Sequence, residues 1–154
     1  AGHLPTGILM MNHADQRSGY RYFADITSRW MDNDIYGHVN NVVYYSYFDS
    51  VANQYLIEKG GLDIHSANII GFVVASSCEY KSPVAYPDLL EAGFRVNRLG
   101  TSSVEYGIGI FKKGAQAASA HGTFTHVFVD RETDKSVSIP QQIRAALEAV
   151  SVAI

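Results

Sequence analysis

Residues 32–49 read DNDIYGHVNNVVYYSYFD, which crowds two aspartates, a glycine, a histidine and three asparagines just ahead of aromatic residues at helical spacing. A helix N-terminus presents unpaired backbone N–H groups and a partial positive charge. Such donors can hold a carbonyl oxygen that becomes an oxyanion when the carbonyl is attacked. A carboxylate from the loop just upstream can attack the carbonyl carbon or take a proton from water. The chemistry that suits this arrangement is acyl transfer or hydrolysis, with neither a metal nor a serine nucleophile. A plainer reading makes Asp32, Asn33 and Asp34 turn residues, Gly37 a backbone of positive φ, and Asn40 or Asn41 a helix N-cap. Capping accounts for one or two of the polar residues. It does not require two acids, a histidine and a paired asparagine together.

The elements that must position these residues can be read from periodicity. Residues 20–30, YRYFADITSRW, alternate and form a first strand. From about Asn41 to Lys59, Tyr44, Tyr47, Phe48, Val51, Ala52, Tyr55 and Leu56 recur at the spacing of a helix with one apolar face, ended by Gly60 and Gly61. Four strands follow at 69–84, 89–100, 102–113 and 116–130, separated by Pro/Asp or Gly/Lys turns. In the third of these, Val104, Tyr106, Ile108 and Ile110 alternate with Glu105, Gly107 and Gly109, so one face is expected to be buried. Pro140 opens a last amphipathic helix carrying Ile143, Ala146, Leu147 and Val150. Consecutive strands with short turns favour an antiparallel sheet, and a lone long helix needs a sheet to cover. The expected class is α+β, a sheet wrapped around one central helix, as one domain over residues 20–154 with an N-terminal arm at 1–19, part of it an expression remnant.

Composition narrows the field. With 154 residues, 47% hydrophobic and 18% charged, the chain is an ordinary globular domain. A formal charge of -3 and the lack of a basic run give no support to nucleic-acid binding. Cys78, the single cysteine, excludes an internal disulfide and a four-cysteine zinc site. No stretch approaches the roughly 18 apolar residues of a membrane span, and the opening residues lack a signal peptide's pattern, so a cytoplasmic protein is expected.

DNDIYGHVNNVVYYSYFD resembles the D-x-D-x-x-G-H-V-N-N-x-x-Y-x-x-Y-F-[DE] signature of hot-dog fold acyl-CoA thioesterases, the 4-hydroxybenzoyl-CoA thioesterase-like group. The segment EYKSPVAYPDLLEAGFRVNRLGTSSVEYGIGI looks like that family's second strand, proline turn and following strand pair, and the likeness runs over roughly residues 20–148. The resemblance implies the hot-dog fold and hydrolysis of a fatty or aromatic acyl-CoA to the free acid and coenzyme A. It implies Asp34 as nucleophile or general base, Gly37 as the turn that brings backbone donors to the thioester carbonyl, and His38, Asn40 and Asn41 as the block at the helix start. Tyr44 then borders the acyl group, and Ser102 and Ser103 are further candidates to line its pocket. One departure stands out: DSVANQYL follows where many members carry an arginine shortly after YF[DE]. The family also implies a homodimer or homotetramer with active sites between subunits, the pocket being completed by the partner's strands.

Other residues have smaller claims. Asp32 is expected to bond loop amides, and Asp49 to be a buried polar anchor. Glu79 could reach a partner's site, while Lys81, Arg98, Lys112 and Lys113 could meet coenzyme A phosphates. His38, His121 and His126 match no metal-ligand spacing, so no metal is expected, and no cofactor beyond coenzyme A as part of the substrate. Two rival readings stay open: a non-catalytic binder of acyl-CoA or acyl-carrier protein, and a hydratase or dehydratase on the same fold.

Overall fold

The computed structural model describes residues 13–63 and 67–152, so residues 1–12 of the expected arm lie outside the described residues. In chain order the elements are β1 (Tyr22–Thr27), α1 (Asn41–Glu58), β2 (Ile69–Tyr80), β3 (Leu89–Leu99), β4 (Ser103–Lys112), β5 (Ala120–Asp130) and α2 (Gln141–Glu148). Short 3-10 turns lie at Arg17–Gly19 and Trp30–Asp32. The strands form one antiparallel sheet in the order β1-β3-β4-β5-β2.

Helix α1 buries the stripe read from its spacing: Tyr44, Tyr47, Phe48, Val51, Ala52, Tyr55 and Leu56. That face packs into the concave side of the sheet against Phe94, Tyr106, Ile108, Phe124 and Phe128. Phe48 and Leu56 are fully buried, and removing such a side chain from water contributes about 1.5–3 kcal/mol. The helix stops where Gly61 takes φ 69, which lets the Leu62 amide turn back to the Leu56 carbonyl at 3.0 Å.

β2 and β3 are consecutive in the chain but not neighbours in the sheet. The segment between them, residues 81–88, therefore crosses one end of the sheet, past the start of α1, where the Val39 amide bonds the Val84 carbonyl at 2.7 Å. This crossing explains why β2 ends at Tyr80 rather than Val84. Lys81 and Ser82 turn their amides to Ser119, at 2.8 and 3.0 Å, and Pro83 and Pro87 have no N–H for a ladder. The first strand is shorter than expected for a similar reason: Ser28 Oγ donates to the Asp88 carbonyl at 2.8 Å and Trp30–Asp32 becomes a helical turn.

The expectation of one buried face on β4 needs correction, because Gly107, Gly109 and Phe111 on the other face are buried as well. Residues 13–20 cross that outer face. The Tyr20 ring lies against Gly93 and Gly109, where a Cβ would come within 2.7 and 2.8 Å of it. Arg95, 6% exposed, donates to the Gly19 carbonyl at 3.0 Å. Alternation told which residues share a face, but not that an arm covers the second one.

His126 sits on the core side of β5, 1% exposed, its Nδ1 3.0 Å from the Tyr106 hydroxyl. Burial pushes its pKa from 6.5 down to about 4. Between those values the unfolded chain binds a proton that the folded chain refuses, so stability falls as pH drops from 6.5 to about 4 and this contribution is absent above 6.5. The expected loss is about 3 kcal/mol at the acid end. Urea unfolding at pH 7 and pH 4.5 should show a steeper acid loss for the wild type than for His126→Gln. Equal slopes would mean that the buried imidazole is not what titrates.

Candidate active site

The loop that carries Asp34 is closed by its own backbone. The Asp34 amide bonds the His38 carbonyl at 2.8 Å and the Gly37 amide bonds the Asp34 carbonyl at 3.1 Å. This tight turn needs φ 79 at Gly37, a conformation that costs a residue with a Cβ and not glycine. Asp34 Oδ1 accepts from the Tyr36 amide at 2.9 Å and, more loosely, from the His38 amide at 3.4 Å. Its Oδ2 has no hydrogen-bond partner among the described residues, and the residue is half-buried. One oxygen is held by the loop and the other is not.

Asn40 is the N-cap of α1: its Oδ1 accepts from the Val42 amide at 3.0 Å, and the Val43 amide bonds its carbonyl at 2.9 Å. Asn41 is the first helical residue. The loop uses the amides of Gly37, His38, Val39 and Asn40, on Asp34, Val84 and Asp32. Between Gly37 and Asn41, the Asn41 N–H is the donor with no partner among the described residues. The backbone donor of this segment without a partner among the described residues is thus at the helix start itself. Asn40→Ala should cost about 1 kcal/mol of stability, measured as a lowered denaturation midpoint. An unchanged midpoint would mean that the cap contributes nothing.

Asp32 faces away from this opening, inward. It is 1% exposed and accepts from the Tyr47 hydroxyl at 2.8 Å, the Arg29 amide at 2.9 Å, and Arg29 Nε and Nη2 at 3.2 and 3.0 Å. Burial alone would raise its pKa, but the bonds from Tyr47 and Arg29 hold it below the ordinary 3.8. Burial, and then the Asp32 carboxylate, push the Tyr47 hydroxyl up. Its own carbonyl accepts the Asn40 amide at 2.8 Å, so Asp32 ties the loop to the helix at both ends. Tyr47, on the buried stripe of α1, is thereby fixed as the partner of Asp32.

A cleft of about 350 Å³ opens beside Asp34. Asp34, His38 and Val39 of the loop, Asn41 and Tyr44 of α1, and Tyr80, Lys81 and Pro83 at and just beyond the end of β2 line it. Tyr44 is 2% exposed, with its ring edge-on to Tyr80 at 5.2 Å and to Tyr47 at 6.1 Å. Burial pushes its pKa up to about 12. The Tyr80 hydroxyl donates to the Asn41 carbonyl at 3.1 Å, so the end of β2 braces the helix start. Burial likewise pushes Tyr80 up to about 12. Tyr80 was not singled out by its sequence context. The one available signal was its place just before the KSP turn.

Asp34, Gly37, His38, Asn40, Asn41 and Tyr44 thus come together at one end of α1. Ser102 and Ser103 do not join them within the chain. Ser103 pairs with Val127 at one end of β4, whereas Ile110 at the other end pairs with Ala120, which in turn pairs with Tyr80 of the cleft. Any approach of these serines to an Asp34 would have to be to that of another copy. Asp49 is exposed, not buried: one residue beyond Phe48, it points away from the stripe, and its Oδ1 accepts from Asn53 at 3.1 Å. Glu79 lies on the sheet 3.7 Å from His121 Nε2. Of the four cations considered for phosphates, Lys81 lines the cleft and Lys113 pairs with Asp25 at 3.2 Å. Among the described residues no three His, Cys, Asp or Glu side chains gather to hold a metal ion, and no helix is long and apolar enough to cross a membrane.

A model described as the thioesterase-like superfamily matches residues 28–147. Among solved structures, the PA5185 protein of Pseudomonas aeruginosa is 52% identical, with a TM-score of 0.89 over 90% of this chain and 97% of that one. The PA2801 protein of the same organism, a candidate thioesterase, is 32% identical with a TM-score of 0.76, covering 80% of this chain and 95% of that one. A 1,4-dihydroxy-2-naphthoyl-CoA thioesterase from Synechocystis shares the fold at 17% identity, with a TM-score of 0.72 over 82% of this chain and 94% of that one. The sheet wrapped on one long helix is the hot-dog fold of these neighbours.

Proposed function

This chain belongs to the thioesterase-like superfamily, and we propose that it is an acyl-CoA thioesterase with Asp34 as its reacting carboxylate, in the 4-hydroxybenzoyl-CoA thioesterase-like manner that its motif resembles. The observation that supports this best is that Asp34, whose Oδ2 has no partner among the described residues, and Asn41, whose amide has none, line one cleft. The acyl carbonyl oxygen sits at the Asn41 N–H, where the partial positive charge of the helix start favours the developing oxyanion.

In the general-base form, Asp34 takes a proton from water as the oxygen bonds to the carbonyl carbon. The tetrahedral intermediate then collapses, the carbon–sulfur bond breaks, and the thiolate of coenzyme A leaves, to be protonated in turn. In the nucleophilic form Oδ2 bonds to the carbon, the thiolate leaves, and water hydrolyses the mixed anhydride. His38, exposed on the rim, can orient the carbonyl or the carboxylate in either form. A thioester is already an activated acyl group, so the reading calls on no cofactor.

Assembly belongs to the same proposal. β2 is an edge strand with its outer ladder unpaired, and it exposes Phe72, Val73 and Val74. Trp30, Met31, Ile35 and Tyr36 stand exposed around the Asp34 loop. Unpaired edges and apolar patches of this kind are ordinarily covered by another chain. A second copy laid along β2 covers them and completes the cleft. Release of free thiol from a panel of acyl-CoA esters tests the activity, and sedimentation equilibrium tests the dimer. Tight binding of every ester with no thiol released would replace the enzyme by a binding protein.

A further inference from the structure

The depth of the cleft bears on which acyl groups it accepts. Its lining residues differ in exposure in a way that orders them from rim to floor. His38 and Asn41 are exposed and Asp34 is half-buried, whereas Val39 is 4% and Tyr44 2% exposed. The thioester must therefore react near the rim, and whatever extends inward from its carbonyl meets Tyr44.

That ring is not free to swing aside. It is 2% exposed, and Val39, which lines the same cleft, is held by its 2.7 Å backbone bond to Val84. The rings of Tyr80 and Tyr47 pack edge-on from two sides, and Tyr47 is in turn fixed by its bond to Asp32. Behind Tyr44 along α1 the space is taken by Tyr47 and Phe48, both buried. The part of the cleft formed by one chain, about 350 Å³, lies near the low end of the roughly 300–1,000 Å³ usual for small-molecule sites. Part of it must hold the thiol arm rather than the acyl group. Tyr36, Tyr44 and Tyr80 line the cleft, and a flat acyl ring can pack edge-on or offset against such rings.

Resting on the thioesterase reading, we infer that the site takes compact acyl groups, short aliphatic or single-ring aromatic, and that the Tyr44 ring is what excludes long fatty chains. The test is kcat/KM for acetyl-, butyryl-, benzoyl-, octanoyl- and palmitoyl-CoA, each below its micelle concentration, with the wild type, Tyr44→Ala, Tyr44→Leu and Tyr44→Phe. The wild type should lose at least about tenfold from butyryl or benzoyl to palmitoyl, a discrimination that pocket shape alone can supply. Tyr44→Ala, or Tyr44→Leu should the alanine variant fail to fold by circular dichroism, should move the optimum toward octanoyl and palmitoyl. Tyr44→Phe keeps the ring and should keep the wild-type order.

Palmitoyl-CoA turned over by the wild type as well as butyryl-CoA would overturn the inference. So would a folded Tyr44→Ala or Tyr44→Leu with an unchanged order. If no ester is hydrolysed, the thioesterase reading fails while the size limit is still read calorimetrically. Tighter binding of benzoyl-CoA than palmitoyl-CoA by the wild type then upholds it, and the reverse overturns it.

Discussion

Asp34→Asn should lose at least about a hundredfold in kcat for thioester hydrolysis, the scale expected when a general base or nucleophile is removed. The substitution changes little else. Oδ1 is the atom that holds the Tyr36 amide at 2.9 Å, and an asparagine can present its own Oδ1 there, so the turn should keep its shape. What is lost is the second oxygen, the one without a partner, as an acceptor of a proton or a new bond. KM should move little, and the denaturation midpoint should stay near that of the wild type. A variant that keeps wild-type kcat would make Asp34 a turn residue and place the chemistry elsewhere. In single turnover in labelled water, label in the Asp34 carboxylate would establish the nucleophilic form, because it enters there when water attacks the Asp34 carbonyl of the mixed anhydride.

The largest effect on stability is expected at the neighbouring carboxylate. Asp32→Ala removes an acceptor that holds the Tyr47 hydroxyl at 2.8 Å and the Arg29 amide at 2.9 Å. Both donors are left beside a void, with the Tyr47 hydroxyl still inside the core. The cost should be about 2–4 kcal/mol, the lower part of that range being favoured because the Arg29 head is largely exposed and can turn to water. For a chain of this length that is a melting point lower by roughly 5–15 °C. Tyr47→Phe, which removes one of the bonds, should cost about 1 kcal/mol.

The pH dependence has a definite sign. Folding holds the Asp32 pKa below its ordinary 3.8. Its contribution is therefore present above that pH and is lost as pH falls through the lower folded value, where wild type and Asp32→Ala should converge. Activity should fall as well, through kcat more than KM, because the loop that Asp32 fastens is the one that aims Asp34. A melting point within a degree of the wild type would show that the loop is held by its backbone bonds alone.

These two aspartates show how far the sequence could be read. Their motif, their glycine turn and the helix behind them are local features. Each depends on residues within about four positions, where turn chemistry, capping and helical periodicity act. The buried stripe from Tyr44 to Leu56 was legible for the same reason, and so was an asparagine cap at the helix start, which the fold assigns to Asn40. The two acids, by contrast, look alike in sequence. One is buried under four donors and the other has a free oxygen in a cleft, and that division depends on where Tyr47 and Arg29 lie in three dimensions.

What only the tertiary structure decided lies at longer range. Side-chain alternation marks strands but does not encode their order, and it was the order β1-β3-β4-β5-β2 that sent residues 81–88 across the helix start. That crossing brought Tyr80, Lys81 and Pro83 to the cleft of Asp34, joined Val84 to Val39, and left Ser102 and Ser103 at the far end of β4. The outer face of β4 was buried by residues 13–20 through glycines whose sequence pattern reads equally well as a solvated face. Asp49 came out exposed because one residue past Phe48 is about 100° around the helix, a fact the sequence contained and the motif's last position obscured. The sequence by itself determined the helix, its capped start and the residues offered there. The fold decided which of those groups are left without partners, because that depends on every neighbour a distant segment brings.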